Sequence, residues 1–79
     1  MNDDAMLKRL RWRCRRGTRE LDELLGRWLA QRYAHADAQR RADFDRLLDE
    51  QDPLLWEWLT GAALPDDPGF QAIVDEIRR

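Results

Sequence analysis

The residues best placed to do chemistry lie between Lys8 and Glu20. Seven basic side chains run from Lys8 to Arg19 with no acidic one, Trp12 stands in their midst, and Glu20, Asp22 and Glu23 then reverse the sign. Cations interleaved with an indole bind; they do not break bonds. They can hold phosphates and stack on a base, or anchor a protein interface, where Arg and Trp are enriched at the energetic centres. Gly17 sits at the crossover of charge. A glycine is expected there if a helix ends in a left-handed residue or if a backbone amide needs an unobstructed approach. Glu20 falls at the third position of a helix capped by Gly17, from which its carboxylate could accept from the Gly17 amide and face the positive end of the helix dipole. Read alone, Arg-Gly-x-x-Glu is a corner between two helices with a capping carboxylate, a pattern that also arises by chance.

Catalytic constellations are scarce. The chain has no serine, one cysteine and one histidine, so a Ser-His-Asp triad is excluded and Cys14 and His35 would have to meet across two helices. Cys14 shares an apolar stripe with Leu7 and Leu10, as a small core residue does. His35 could ligate a metal only with carboxylates such as Asp37, and near a helix end it more often meets the last carbonyls. Gly17, Gly26, Gly61 and Gly69 are isolated, with no strand before any of them, so no phosphate cradle or flavin pocket is readable.

The elements that must position these residues are helices. Only five residues are β-branched (Thr18, Thr60, Ile73, Val74, Ile77), which disfavours strands. From about Asp4 to Arg15, Leu7, Leu10 and Cys14 follow one face, Asp3 and Asp4 are placed to cap the start, and Trp12 points away beside Lys8, Arg9 and Arg16. From Thr18 to about His35, Leu21, Leu24, Leu25, Trp28 and Leu29 form a broad stripe, with Glu23 and Arg27 as an i,i+4 pair opposite. Asp37 caps a third, mostly solvated helix with a narrow apolar edge at Phe44, Leu47 and Leu48, its Arg40 and Asp43 assigned to solvent. Asp52-Pro53 reads as cap and first helical position of a fourth, largely buried helix ending at Gly61. Asp67-Pro68 repeats that start for a fifth, with Phe70, Ile73, Val74 and Ile77 on one face. Trp28 and Trp58 belong to the core, while Trp56 falls opposite Trp58.

Seventy-nine residues allow one small core, so the chain reads as a single helical domain over 1–79, an all-α five-helix bundle whose function is carried on its surface. The net charge is −2, yet ten acidic residues against Arg46, Arg78 and Arg79 lie between Asp43 and Arg79, making the molecule electrically two-sided. That balance, and the return to acid at Glu20, weigh against nucleic acid. The start lacks a secretory pattern and no apolar run suffices for a bilayer span, so a cytoplasmic location is expected.

Two stretches carry a resemblance. Arg11-Trp12-x-Cys14-Arg15-Arg16-Gly17-x-Arg19-Glu20-Leu21-Asp22 closely resembles the signature of the SdhE family, and Asp52-Pro53-Leu54-Leu55-Trp56-Glu57-Trp58-Leu59 resembles that family's second block, Asp-Pro-x-Leu-aromatic-x-Trp-Leu. The resemblance implies a five-helix assembly factor, not an enzyme. It implies binding to the flavoprotein subunit of succinate dehydrogenase or fumarate reductase, and promotion of covalent FAD attachment to a histidine of that subunit. The factor itself would hold no cofactor stably and would act as a monomer. The family's Arg-Gly-x-x-Glu falls on Arg16, Gly17 and Glu20, and Lys8, Trp12, Arg15 and Arg19 complete the expected partner surface. The alternative, a nucleic-acid-binding or antitoxin-like regulator, would use the same basic face. The chain ends at Arg79, without the tail some members carry.

Overall fold

A computed structural model describes the backbone of residues 2–79 and the side chains of residues 4–79. Among the described residues five α-helices follow one another: α1 (Asn2–Arg13), α2 (Arg19–Gln31), α3 (Ala38–Leu47), α4 (Asp52–Thr60) and α5 (Pro68–Arg78), with a 3-10 turn at Tyr33–His35. No strand occurs among the described residues. The all-α expectation therefore stands.

The helix ends follow from side-chain chemistry. Asp37 and Asp67 accept from the amides of Arg40 and Phe70, capping α3 and α5. Gly61 ends α4 at φ 84°, a conformation closed to most side chains. Three expected starts move. Helix α1 already runs from Asn2, which puts Asp4 inside its first turn; the side chain of Asp3 lies outside the described residues. Helix α2 is capped by Thr18, whose hydroxyl accepts from Leu21 N–H at 3.3 Å. Helix α4 is capped by Gln51 without a side-chain bond, so Asp52 is its first helical residue.

Helix α5 packs against α2, α3 and α4, and α2 also meets α1 and α4. At the centre Trp28 stacks on Phe44 with centroids 4.5 Å apart, and Tyr33 closes on both rings edgewise. Helix α2 stops at Gln31, short of the expected His35, and the 3-10 turn swings Tyr33 into this cluster. Leu54 and Trp56 remain exposed on α4, which is thus less buried than its composition suggested.

Helix α3 differs most from expectation. Asp43 is 0% exposed. Its carboxylate accepts from Gln39 (3.0 Å), Arg40 (3.0 Å) and Arg46 (3.2 Å). Arg40 continues to Glu76 on α5 at 2.8 Å, and Glu76 accepts from Trp28 Nε1 at 3.2 Å. A buried carboxylate survives because each of its oxygens is bonded and its charge is paired. Arg40 is therefore a tie between helices, not a solvent residue. Glu23 and Arg27 do not pair; Arg27 instead donates to Ile77 O, a free carbonyl at the end of α5.

Candidate partner-binding surface

The corner between α1 and α2 is built from two ends of helices that leave carbonyls without partners. Arg16 supplies the donors. Its guanidinium bonds Arg13 O (2.9 Å) at the end of α1, and Leu48 O (3.0 Å) and Glu50 O just beyond α3. Its Nε meets Asp52 Oδ1 on α4 at 2.7 Å. A fork of fixed N–H vectors suits this task, and a lysine would not span it. Only 14% of the Arg16 side chain is exposed, so most of its chemistry is spent inside the molecule.

The other oxygen of Asp52 takes the Gly17 amide at 2.8 Å, and the Arg16 amide donates to Asp22. Arg16 foremost, then the Gly17 amide, hold the Asp52 carboxyl below the usual carboxylate range. Two expectations are corrected here. Glu20 does not accept from the Gly17 amide, because Thr18 is the cap and Asp52 occupies that amide. Gly17 is not left-handed, since Gly61 is the one positive-φ glycine among the described residues. The other reading of Gly17 holds: a carboxylate approaches its backbone, and a Cβ there would lie 3.2 Å from Asp52 Oδ2.

The expected surface residues fall into two sets. Lys8, Trp12, Arg15, Arg19, Gly17 and Glu20 are all exposed, and Arg16 is turned inward beneath them. Trp12 is 69% exposed, with the Arg15 guanidinium over its ring at 5.4 Å. Arg13 is spent on Asp45 and Asp49, whereas Lys8, Arg15, Arg19 and Glu20 make no ion pair among the described residues. Cys14 lies buried behind the corner, and burial pushes its thiol up to about 11, which leaves it inert as a nucleophile at neutral pH.

Sequence reasoning missed Asp52 and left Trp56 unassigned. Both line a shallow hollow with Thr18, Glu20, Leu21 and Pro53, so the two motif stretches meet on one surface. The signal for Asp52 was its place at the head of the second stretch, read there as a helix cap. No group of three or more potential metal ligands occurs among the described residues, and no helix is long and apolar enough to cross a membrane.

Residues 8–79 match the family model described as "Flavinator of succinate dehydrogenase". The chain is 46% identical over 78 residues to the "FAD assembly factor SdhE" of Xylella fastidiosa (strain 9a5c), covering 99% of this chain and 80% of the relative. It is 47% identical over 70 residues to the protein of that name from Methylococcus capsulatus, covering 89% and 84%, and 38% identical over 79 residues to that of Coxiella burnetii, covering 100% and 96%. These relatives are named as assembly factors, not as enzymes. A match over most of the length, with both motif stretches inside it and converging on one corner, places the chain in the family of succinate dehydrogenase flavinators.

Proposed function

We propose that the protein is an assembly factor that binds the flavoprotein subunit of succinate dehydrogenase, or of fumarate reductase, and promotes its covalent flavinylation with FAD. The observation that carries this reading is the corner at Gly17. A part-buried Arg16–Asp52 pair fixes its backbone, and around it stand the exposed Trp12 and the charges of Glu20, Arg19, Arg15 and Lys8, which have no intramolecular ion pair among the described residues. Rigid presentation of an interface lowers the entropy lost on association.

The protein acts by binding, as a monomer in the cytoplasm, and holds no cofactor of its own stably. The client supplies the FAD and the accepting histidine. The corner favours the client conformation in which that bond forms, to the extent that it binds this conformation more tightly than others. Glu20 pairs with a client cation, and the Trp12–Arg15 face meets client carboxylates or apolar surface. Co-purification with the flavoprotein subunit tests the reading. Capture of that subunit, with no retardation of nucleic acid in a salt titration, is the expected result; salt-sensitive retardation without capture assigns the basic face to nucleic acid instead.

A further inference from the structure

A second surface lies on the far side of Glu20. Between α2 and α4 runs a groove of about 660 Å³ with Leu24 and Gly26 on one wall and Trp56 and Thr60 on the other. Trp56 is 43% exposed and also lines the hollow beside Gly17, so it stands between the corner and the groove. Glu20, Asp22 and Glu23 line this side of α2. Asp22 accepts from the Arg16 amide, whereas Glu20 and Glu23 have no ion pair among the described residues, and the one guanidinium at the groove, Arg27, is committed to Ile77 O. That bond leaves the Arg27 charge in place, but Glu20, Asp22 and Glu23 against Arg27 make the groove net negative, and an exposed indole beside an excess of carboxylates recognises a cation on an aliphatic stem.

Gly26 adds an independent observation. It lies inside α2, where glycine is unfavourable, yet its φ is not positive and a Cβ built on it meets nothing within 4 Å. Neither backbone geometry nor packing within the chain requires a glycine there. Gly26 borders both this groove and the hollow toward Met6, Leu7 and Arg11 of α1, and its missing side chain leaves that stretch of α2 flat, open to close approach by another backbone.

We propose that this groove is a second docking face, and that its occupant is a lysine- or arginine-bearing segment of the flavoprotein client, laid along α2 with its cationic stem on Trp56 and its charge between Glu20 and Glu23. The inference rests on the assembly-factor reading for the identity of the client. With the basic Trp12 face on the other side of the corner, it makes the contact bipolar: the chain offers cations on α1 and carboxylates on α2.

The test is binding kinetics of purified succinate dehydrogenase flavoprotein subunit on immobilised wild type, Trp56→Ala, Trp56→Phe, Glu23→Lys and Gly26→Leu, with far-UV spectra confirming that each variant is folded. Trp56→Ala, Glu23→Lys and Gly26→Leu should each weaken binding by at least about tenfold, through faster dissociation, and Trp56→Phe should recover part of the loss. Wild-type affinity in Trp56→Ala and Glu23→Lys overturns the second face and leaves the assembly-factor reading standing. Absence of binding by the wild type overturns that reading and this inference together. If sedimentation shows the chain associating with itself through Trp56 while client binding ignores it, the groove belongs to a second copy and the proposal fails.

Discussion

Two aspartates in this molecule are built alike and do different work. Asp43 and Asp52 each bond arginine and each press against a glycine: a Cβ on Gly69 would lie 2.5 Å from Asp43 Oδ1, and one on Gly17 would lie 3.2 Å from Asp52 Oδ2. Asp43 is sealed between α3 and α5, and its bonds go to Gln39, Arg40 and Arg46 of α3 itself, fixing the two guanidiniums that reach Glu76 of α5 and Asp67 at its cap. Asp52 is partly open, and its second oxygen fixes the backbone of an exposed corner. The same chemistry stabilises the fold in one place and shapes a surface in the other. What separates them is burial: Asp43 is fully enclosed, whereas 34% of the Asp52 side chain is open to solvent.

Substitution should separate the two. Asp43→Ala removes the fully buried acceptor of three side-chain bonds while Arg40 keeps Glu76 and Arg46 keeps Asp67, and with hydrogen bonds to charged groups at about 1.5–3 kcal/mol each it should cost roughly 3 kcal/mol, measured as a lowered denaturant midpoint. Arg16→Ala should come next, at about 2–3 kcal/mol, because it orphans the part-exposed Asp52 and three carbonyls; it should also impair client binding. Arg16→Lys should not rescue it, since an ammonium cannot reach four acceptors in that fan. If Arg16→Ala proves as stable as wild type, the corner is not held as described.

Gly17→Arg should be milder for folding than either. The position needs no positive φ, and its new side chain can leave Asp52 for solvent, yet it covers the corner and should abolish client capture. Parallel thermal unfolding and pull-down measurements decide whether the effect is on the surface or on the fold. Gly26→Ala should have the smallest effect and the opposite sign, stabilising by about 0.5–1 kcal/mol, because alanine is the better helix former and meets no neighbour.

Acid sharpens the comparison differently. Hydrogen bonds from Arg16 and the Gly17 amide lower the Asp52 carboxyl, and those from Arg46 and the Phe70 amide lower the Asp67 carboxyl at the start of α5. A carboxyl lowered by folding contributes stability that is fully present above its unfolded value and is lost as pH falls through its folded value. Stability should thus be flat near neutrality and decline from about pH 4 downward, and Asp52→Asn should flatten part of that decline in a pH series of unfolding midpoints.

These pairs also explain what could be read from the sequence. Helix identities were legible because their signals are local: Asp67-Pro68 starts a helix, Gly61 ends one, and Leu21, Leu25, Trp28 and Leu29 fall on one face of α2. The exposed residues Lys8, Trp12, Arg15, Arg19 and Glu20 were legible for the same reason. Arg16 and Asp52 meet across 36 positions, a pairing that no local pattern encodes, and Asp-Pro is so strong a helix start that it masked the true partner of the Gly17 amide. Asp43 looked solvated because α3 has a narrow apolar edge, and only its packing against Gly69 of α5 buries it. Glu20, freed from the capping role by Thr18 and Asp52, is left exposed with no ion pair among the described residues.

The most direct test of the central claim is covalent flavin fluorescence of the succinate dehydrogenase flavoprotein subunit, resolved on a denaturing gel, after incubation with FAD alone, with wild type, or with Glu20→Gln. Because Glu20 makes no bond that the fold needs, Glu20→Gln should unfold like wild type but lose on the order of 2–5 kcal/mol of binding, leaving the client near its unassisted level while wild type raises it. Equal flavinylation with wild type and with no added protein would contradict the account.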